Sequence, residues 1–153
     1  MPACIRHPLF LFRSFNFSGA ATMNTVESPV LNAATSASGI AARYLSAWNA
    51  TDSSERDRLV REAFSSEVHY LDPMMEGRGH DGMAALIAGA QQRFAGYRFA
   101  LLGTPEGHHS VVRFSWALAA PGAEPVARGT DVAEVDADGR LRRVTGFLDY
   151  VAG

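Results

Sequence analysis

The chain has 153 residues, 47% of them hydrophobic and 20% charged, with 14 basic residues against 16 acids and a formal net charge of −2. That is the composition of one ordinary globular domain with a single core; apart from histidine every basic residue is an arginine, none cluster, and no nucleic-acid surface is expected. Cys4 is the only cysteine, which excludes an internal disulfide and a thiolate metal cage, and no apolar run approaches the roughly 18 residues of a membrane span, so we expect a cytoplasmic protein with no membrane partner.

Residues 1–36 differ from the rest. Arg6 and Arg13 precede the first acid, Glu27, and Arg13 cuts the apolar "PLFLF" short of a signal-peptide core. The small, polar stretch "NTVESPVLNAATSASG" has linker composition. We expect a leader or disordered segment over 1–36, with Met23 as an alternative start, and one folded domain over 37–153.

"SASGIAARYLSAWNATD" sets Ile40, Tyr44, Leu45 and Trp48 on one face of a first helix, which Asn49 to Asp52 end. "SERDRLVREAFS" is a second, with Leu59, Val60, Ala63 and Phe64 inward and its charges outward. "EVHYLD" reads as a short strand. It ends on Asp72, which Pro73 holds in an extended conformation while removing the next ladder donor. An Asp-Pro pair is in the first place a turn opener; it also leaves a carboxylate on stiff backbone at a strand's mouth. A third helix follows in "HDGMAALIAGAQQRFAG", with Asp81 as N-cap and Met83, Leu86, Ile87, Ala90 and Phe94 as its stripe.

After Gly96 the period becomes twofold. "YRFALLG", "HSVVRFSWALAA", "PVARGTDVAEVDA" and "LRRVTGFLDYVA" are strands, parted by "TPEGH", "PGAEP" and "DADG" as turns. Three helices and five strands in this order make an α+β domain. In the second of these four strands Val112, Phe114, Trp116 and Leu118 share the apolar phase. In the third, Asp131 is the only charge on the phase Ala127, Gly129, Asp131, Ala133, Val135. A regular strand turns Asp131 into the core, where desolvation keeps a carboxyl neutral; a bulge at Gly129 would turn it outward.

Tyr44 on a helical stripe, Asp72 at a strand end and Asp131 inside a strand together resemble the ketosteroid isomerases, within the SnoaL-like and nuclear transport factor 2-like superfamily. "RYLSAWNATD", "VHYLDP" and "GTDVAEVDADGRLRRVTGF" carry the resemblance, which covers residues 37–153. It implies a cone: a curved mixed sheet wrapped around three helices and enclosing one apolar pocket, paired through the sheet's outer face as a homodimer. It also implies cofactor-independent acid–base chemistry on a small apolar carbonyl compound, with Asp72 as base and Tyr44 and a neutral Asp131 as donors to the developing oxyanion. The segment "TDSSERDR" lengthens the chain between Tyr44 and Asp72. An aromatic of the last strand is displaced, with Phe147 beside Leu148 near the matching position.

Trp48, Met83, Phe114, Trp116 and Phe147 are expected to wall the pocket, the first four also as core residues. Tyr70 shares Asp72's side and either lines the pocket or packs in the core. His69 alternates away from both. The five histidines have no metal-ligand spacing, and neither a metal nor a cofactor is expected. Polyketide-cyclase-like aldol chemistry and non-catalytic ligand binding are the alternative functions of such a fold.

Overall fold

The computed structural model describes residues 35–153; the expected leader lies outside these residues except at its last two positions. Helix α1 (Ala37–Trp48) is capped by Ser36, whose hydroxyl accepts from the Gly39 N–H at 3.1 Å. Helix α2 (Ser53–Ala63) is capped by Asp52, which accepts from the Glu55 N–H at 2.9 Å. Its solvated face carries Arg58 bridged to Glu55 and Glu62. Phe64 closes α2 and is already the first residue of β1 (Phe64–Leu71).

Asp72–Met75 then turn the chain into the short β2 (Glu76–Arg78), which the sequence reading leaves in a loop. Helix α3 (Gly79–Arg93) starts two residues before Asp81, with Arg78 at the cap position and no side-chain cap. Asp81 instead lies in the first turn, where its charge favours the helix dipole. Strand β3 (Arg98–His108) is longer than expected. It runs through "TPEG" with a register shift between Leu102 and Glu106, and the turn into β4 (Val111–Ala119) is made by His109 and Ser110. Strands β5 (Ala127–Val135) and β6 (Leu141–Val151) complete the sheet.

The strand order is β2-β1-β6-β5-β4-β3, with β1 parallel to β6 and every other pair antiparallel. The fold is α+β: a curved, open six-stranded mixed sheet with three helices packed on one face. Tyr44, Trp48, Phe64, Ile87, Phe114 and Val144 join the core between helices and sheet. No helix among the described residues is long and apolar enough to cross a membrane.

Candidate active site

A cavity of about 480 Å³ opens between α1, α3 and the inner face of the sheet. Two helical rows of α3 form one wall, Leu86–Ala90–Phe94 and Ala85–Gly89–Arg93, each at four-residue spacing. This explains why Leu86, Ala90 and Phe94 are only half-buried despite lying on the apolar stripe. Tyr44, Trp48, Tyr70, Asp72, Phe99, Trp116 and Leu148 line the opposite wall, and Met74 and Met75 lie at the edge.

Asp131 has 0% exposure. The strand is regular at this point, as the twofold phase requires, because the register shift beside Gly129 places the extra residue in β6, at Asp149. Gly129 has another task. A Cβ there would stand 2.4 Å from the Trp116 ring, so only glycine lets that ring lie across β5. From there the Trp116 indole donates to Asp131 Oδ2 at 3.1 Å. Oδ1 has no hydrogen-bond partner among the described residues. Burial lifts the Asp131 carboxyl to about 7, against the opposing pull of Tyr44 and Trp116, and the nearby Asp72 charge pushes it further up.

Tyr44 is buried, its ring 4.9 Å from that of Phe114, and its hydroxyl acts on both Asp131 and Tyr70. Burial first, then the Asp131 charge, holds its pKa well above the ordinary tyrosine range, so it remains a proton donor. Tyr70 is raised likewise, first by burial. Its hydroxyl donates to Asp72 Oδ2 at 2.8 Å. Asp72 Oδ1 accepts from the Met74 and Met75 N–H groups, both at 2.7 Å, which fixes the carboxylate in the turn that Pro73 opens.

The two carboxyls meet across β6. A Cβ on Gly146 would lie 2.8 Å from Asp131 Oδ1 and 3.1 Å from Asp72 Cβ, so both side chains flank this bare α-carbon. Trp116, Asp131, Tyr44, Tyr70 and Asp72 thus form one polar cluster, of which Trp116, Tyr44, Tyr70 and Asp72 line the otherwise apolar cavity and Asp131 lies buried behind them. The sequence reading anticipates the members of the cluster but not Gly146, whose part depends on the pairing of β5 with β6.

Three expected lining residues stand elsewhere. Met83 is fully buried with Ile87 on the core-facing row of α3 and does not reach the cavity. Phe114 packs behind the Tyr44 ring, opposite Asp131 in the ladder, and supports the site from a second layer. Phe147 shares the phase of Arg143 and Thr145, so it faces outward and is 54% exposed; Leu148 lines the cavity instead. His69 faces outward to Glu76 at 2.8 Å. Among the described residues no group of three His, Cys, Asp or Glu side chains is placed to hold a metal ion.

A family model described as a SnoaL-like domain matches residues 41–144. Among solved structures, the chain is similar to a candidate isomerase of the SnoaL-like family from Agrobacterium tumefaciens, with 47% identity over 74% of this chain and 97% of the other, and a TM-score of 0.71. It is similar in fold to a nuclear transport factor 2-like protein from an Exiguobacterium species, at 23% identity over 72% and 98% of the two chains and a TM-score of 0.58. A candidate polyketide cyclase from Sinorhizobium meliloti shares the fold at 19% identity over 70% and 92%, with a TM-score of 0.55. A search of curated proteins returns no match.

Proposed function

The chain belongs to the SnoaL-like family, and from that premise we propose that it catalyses a cofactor-independent acid–base isomerisation of a small apolar carbonyl compound. The observation that carries the reading is the polar cluster, in which a turn-held carboxylate after β1 lines an apolar cavity and a fully buried carboxyl on β5 lies behind its wall, both beside Gly146. The description of the Agrobacterium relative as a candidate isomerase supports it.

In this reading Asp72 removes a proton from the carbon beside the carbonyl and returns it to a carbon further along the conjugated system. No atom is gained or lost. Oδ1 accepts from two backbone amides and Oδ2 from Tyr70, which leaves one lone pair, on Oδ2, to take the proton to be moved. As the carbonyl oxygen gains charge, the Tyr44 hydroxyl and the protonated Asp131 donate to it. The same proton removal opens an intramolecular aldol closure, so polyketide-cyclase-like chemistry needs no further residue. The protein works as a homodimer in the cytoplasm, joined through the outer sheet face that presents Leu71, Val132 and Phe147.

A second reading is a ligand-binding module, favoured by the structural hydrogen bonds that occupy both oxygens of Asp72. Turnover of a β,γ-unsaturated ketone separates the two. Asp72→Asn should lower it about 10²–10⁴-fold, the range of general acid–base catalysis, and Tyr44→Phe roughly 10²–10³-fold in kcat. Asp131→Asn, which keeps a donor, should cost clearly less than Asp131→Leu. Ligand binding without turnover, equal in wild type and variants, would establish the binding module.

A further inference from the structure

The cavity has two chemically different ends. Asp131 pairs with Phe114 of β4 and with Gly146 of β6, which places the acids at one level of the sheet. Leu118 and Ala127, which pair with each other, lie four residues further along, a distance of about 13 Å at the rise of a strand. The last turn of α3 is anchored at this second level. Tyr97 N–H bonds to the Phe94 carbonyl, their rings meet at 5.9 Å, and the chain enters β3 directly, where Phe99 pairs with Leu118. Arg93 projects from that turn, on the same α3 row as Ala85 and Gly89, whose small side chains leave the wall open beside it.

Arg93 is the one cation among the described lining residues. Its guanidinium rests 5.6 Å from the Phe94 ring centroid and has no acidic partner among the described residues. Arg93 is exposed, and what sets it apart is its place: of the other exposed arginines Arg58, Arg78, Arg113, Arg140 and Arg142 pair with an acid, Arg61, Arg98, Arg128 and Arg143 have no ion pair among the described residues, and none of them lines the cavity. Between the two ends, the Trp48 ring lines the cavity while its indole N–H is buried behind that wall. A ligand carrying an anionic group at this second end would meet the one cation that lines the cavity.

We propose that the cavity is built for an amphiphilic keto acid: an apolar skeleton whose ketone lies between Tyr44 and Asp131 and whose far end carries a carboxylate held by Arg93. The inference deepens the function proposed above and rests on it only for the end of the cavity that takes the ketone. A planar carboxylate fits the two-pronged guanidinium, and the face of Phe94 fixes the plane of the fork. The contact lies at the cavity's edge, so it contributes to capture and selectivity rather than to chemistry.

The test is binding of a matched pair, an aryl alkyl ketone ending in a carboxylate and its methyl ester, followed by the fluorescence of Trp48 and Trp116, the chain's two tryptophans, both of which line the cavity. In wild type the acid should bind about two- to fivefold more tightly than the ester, the scale of an ion pair to an exposed guanidinium, and the gap should narrow as salt is raised. Arg93→Ala should close the gap and leave ester binding unchanged; Arg93→Lys should restore part of it. Arg113→Ala, on the outer face, should leave the gap intact. Equal affinity for acid and ester in wild type, or a gap that survives Arg93→Ala, would overturn the proposal. Because the readout is binding, either result is independent of turnover: a protein that prefers the acid but turns over no ketone would instead overturn the isomerase reading alone.

Discussion

With its carboxyl lifted by burial to about 7, Asp131 is neutral in mildly acid solution and half ionised near neutrality. Below about pH 4 it is protonated in the folded and the unfolded chain alike and contributes nothing to the pH dependence. Between that pH and about 7 the unfolded chain gives up a proton that the folded chain keeps, so stability falls as pH rises, and it levels off above the folded value. The full difference is about 4 kcal/mol. Asp131→Asn removes the titration and keeps the shape. Its melting temperature relative to wild type should therefore climb as the pH is raised from about 5 to about 8; a constant difference would show that the carboxyl does not stay neutral in the fold. Turnover should decline over the same upper range, as the neutral donor is lost.

Gly146 offers a separate check at the same scale. A methyl group there meets two short, packed side chains rather than the end of a flexible one. Gly146→Ala should cost about 1–3 kcal/mol in denaturant unfolding, as overpacking does, and should lower turnover by parting the carboxyls. An alanine variant as stable and active as wild type would mean that the carboxyls do not flank this residue. Tyr44, Asp72 and Asp131 were legible in the sequence because helical and strand periods determine which way a side chain points. Gly146 and Gly129 were not, since their roles arise from neighbours brought together by cross-strand register. Phe147 was misplaced although its phase, shared with Arg143 and Thr145, points outward.

Among the elements, the join between α1 and β3 is the one the site depends on most. Asn49, at the C-cap of α1, accepts from the Phe99 N–H and donates to the Phe99 carbonyl, both at 2.8 Å, and so pairs with the strand edge as a neighbouring residue would. This couples Trp48 to Phe99, whose rings lie 5.4 Å apart on the cavity wall. Asn49→Ala should destabilise the domain by about 2 kcal/mol, for two hydrogen bonds lost from a partly buried edge, measured by urea unfolding. An unchanged midpoint would mean that the helix holds its place without them. The elements found by sequence reading were α1, α2, α3, β1, the first part of β3 and β4 to β6. Strand β2 escaped because Glu76-Gly77-Arg78 has no β-forming side chain and exists only through its pairing with β1. The length of β3 escaped for a related reason: Gly103 and Pro105 read as turn residues, but here they sit in an irregular stretch that the sheet tolerates.

For the whole molecule, the sheet divides two surfaces. The inner one carries the cavity. The outer one presents cross-strand rows, Leu102–Ser115–Thr130–Phe147 and Arg113–Val132–Thr145–Leu71, in which Arg113, paired with Glu106, is the one charge among apolar and hydroxyl side chains; this is the face through which we propose that two copies pair. Phe147→Glu puts a charge at its middle. Light scattering after gel filtration should show the wild type as a dimer and this variant as a monomer, with the cavity's ligand affinity retained; a wild-type monomer at micromolar concentration would remove the dimer from the account.

The chemistry itself is tested most directly by proton exchange. In D₂O, an apolar ketone that binds the cavity should lose the hydrogens on the carbon beside its carbonyl in the presence of the protein, a reaction that needs a base and an oxyanion site but no particular substrate. Followed by proton NMR, the wild type should drive this exchange about 10²–10⁴-fold faster than Asp72→Asn. Exchange at the same slow rate with both proteins, while both show the same quenching of Trp48 and Trp116 by the ketone, would contradict the assignment of Asp72 as a base.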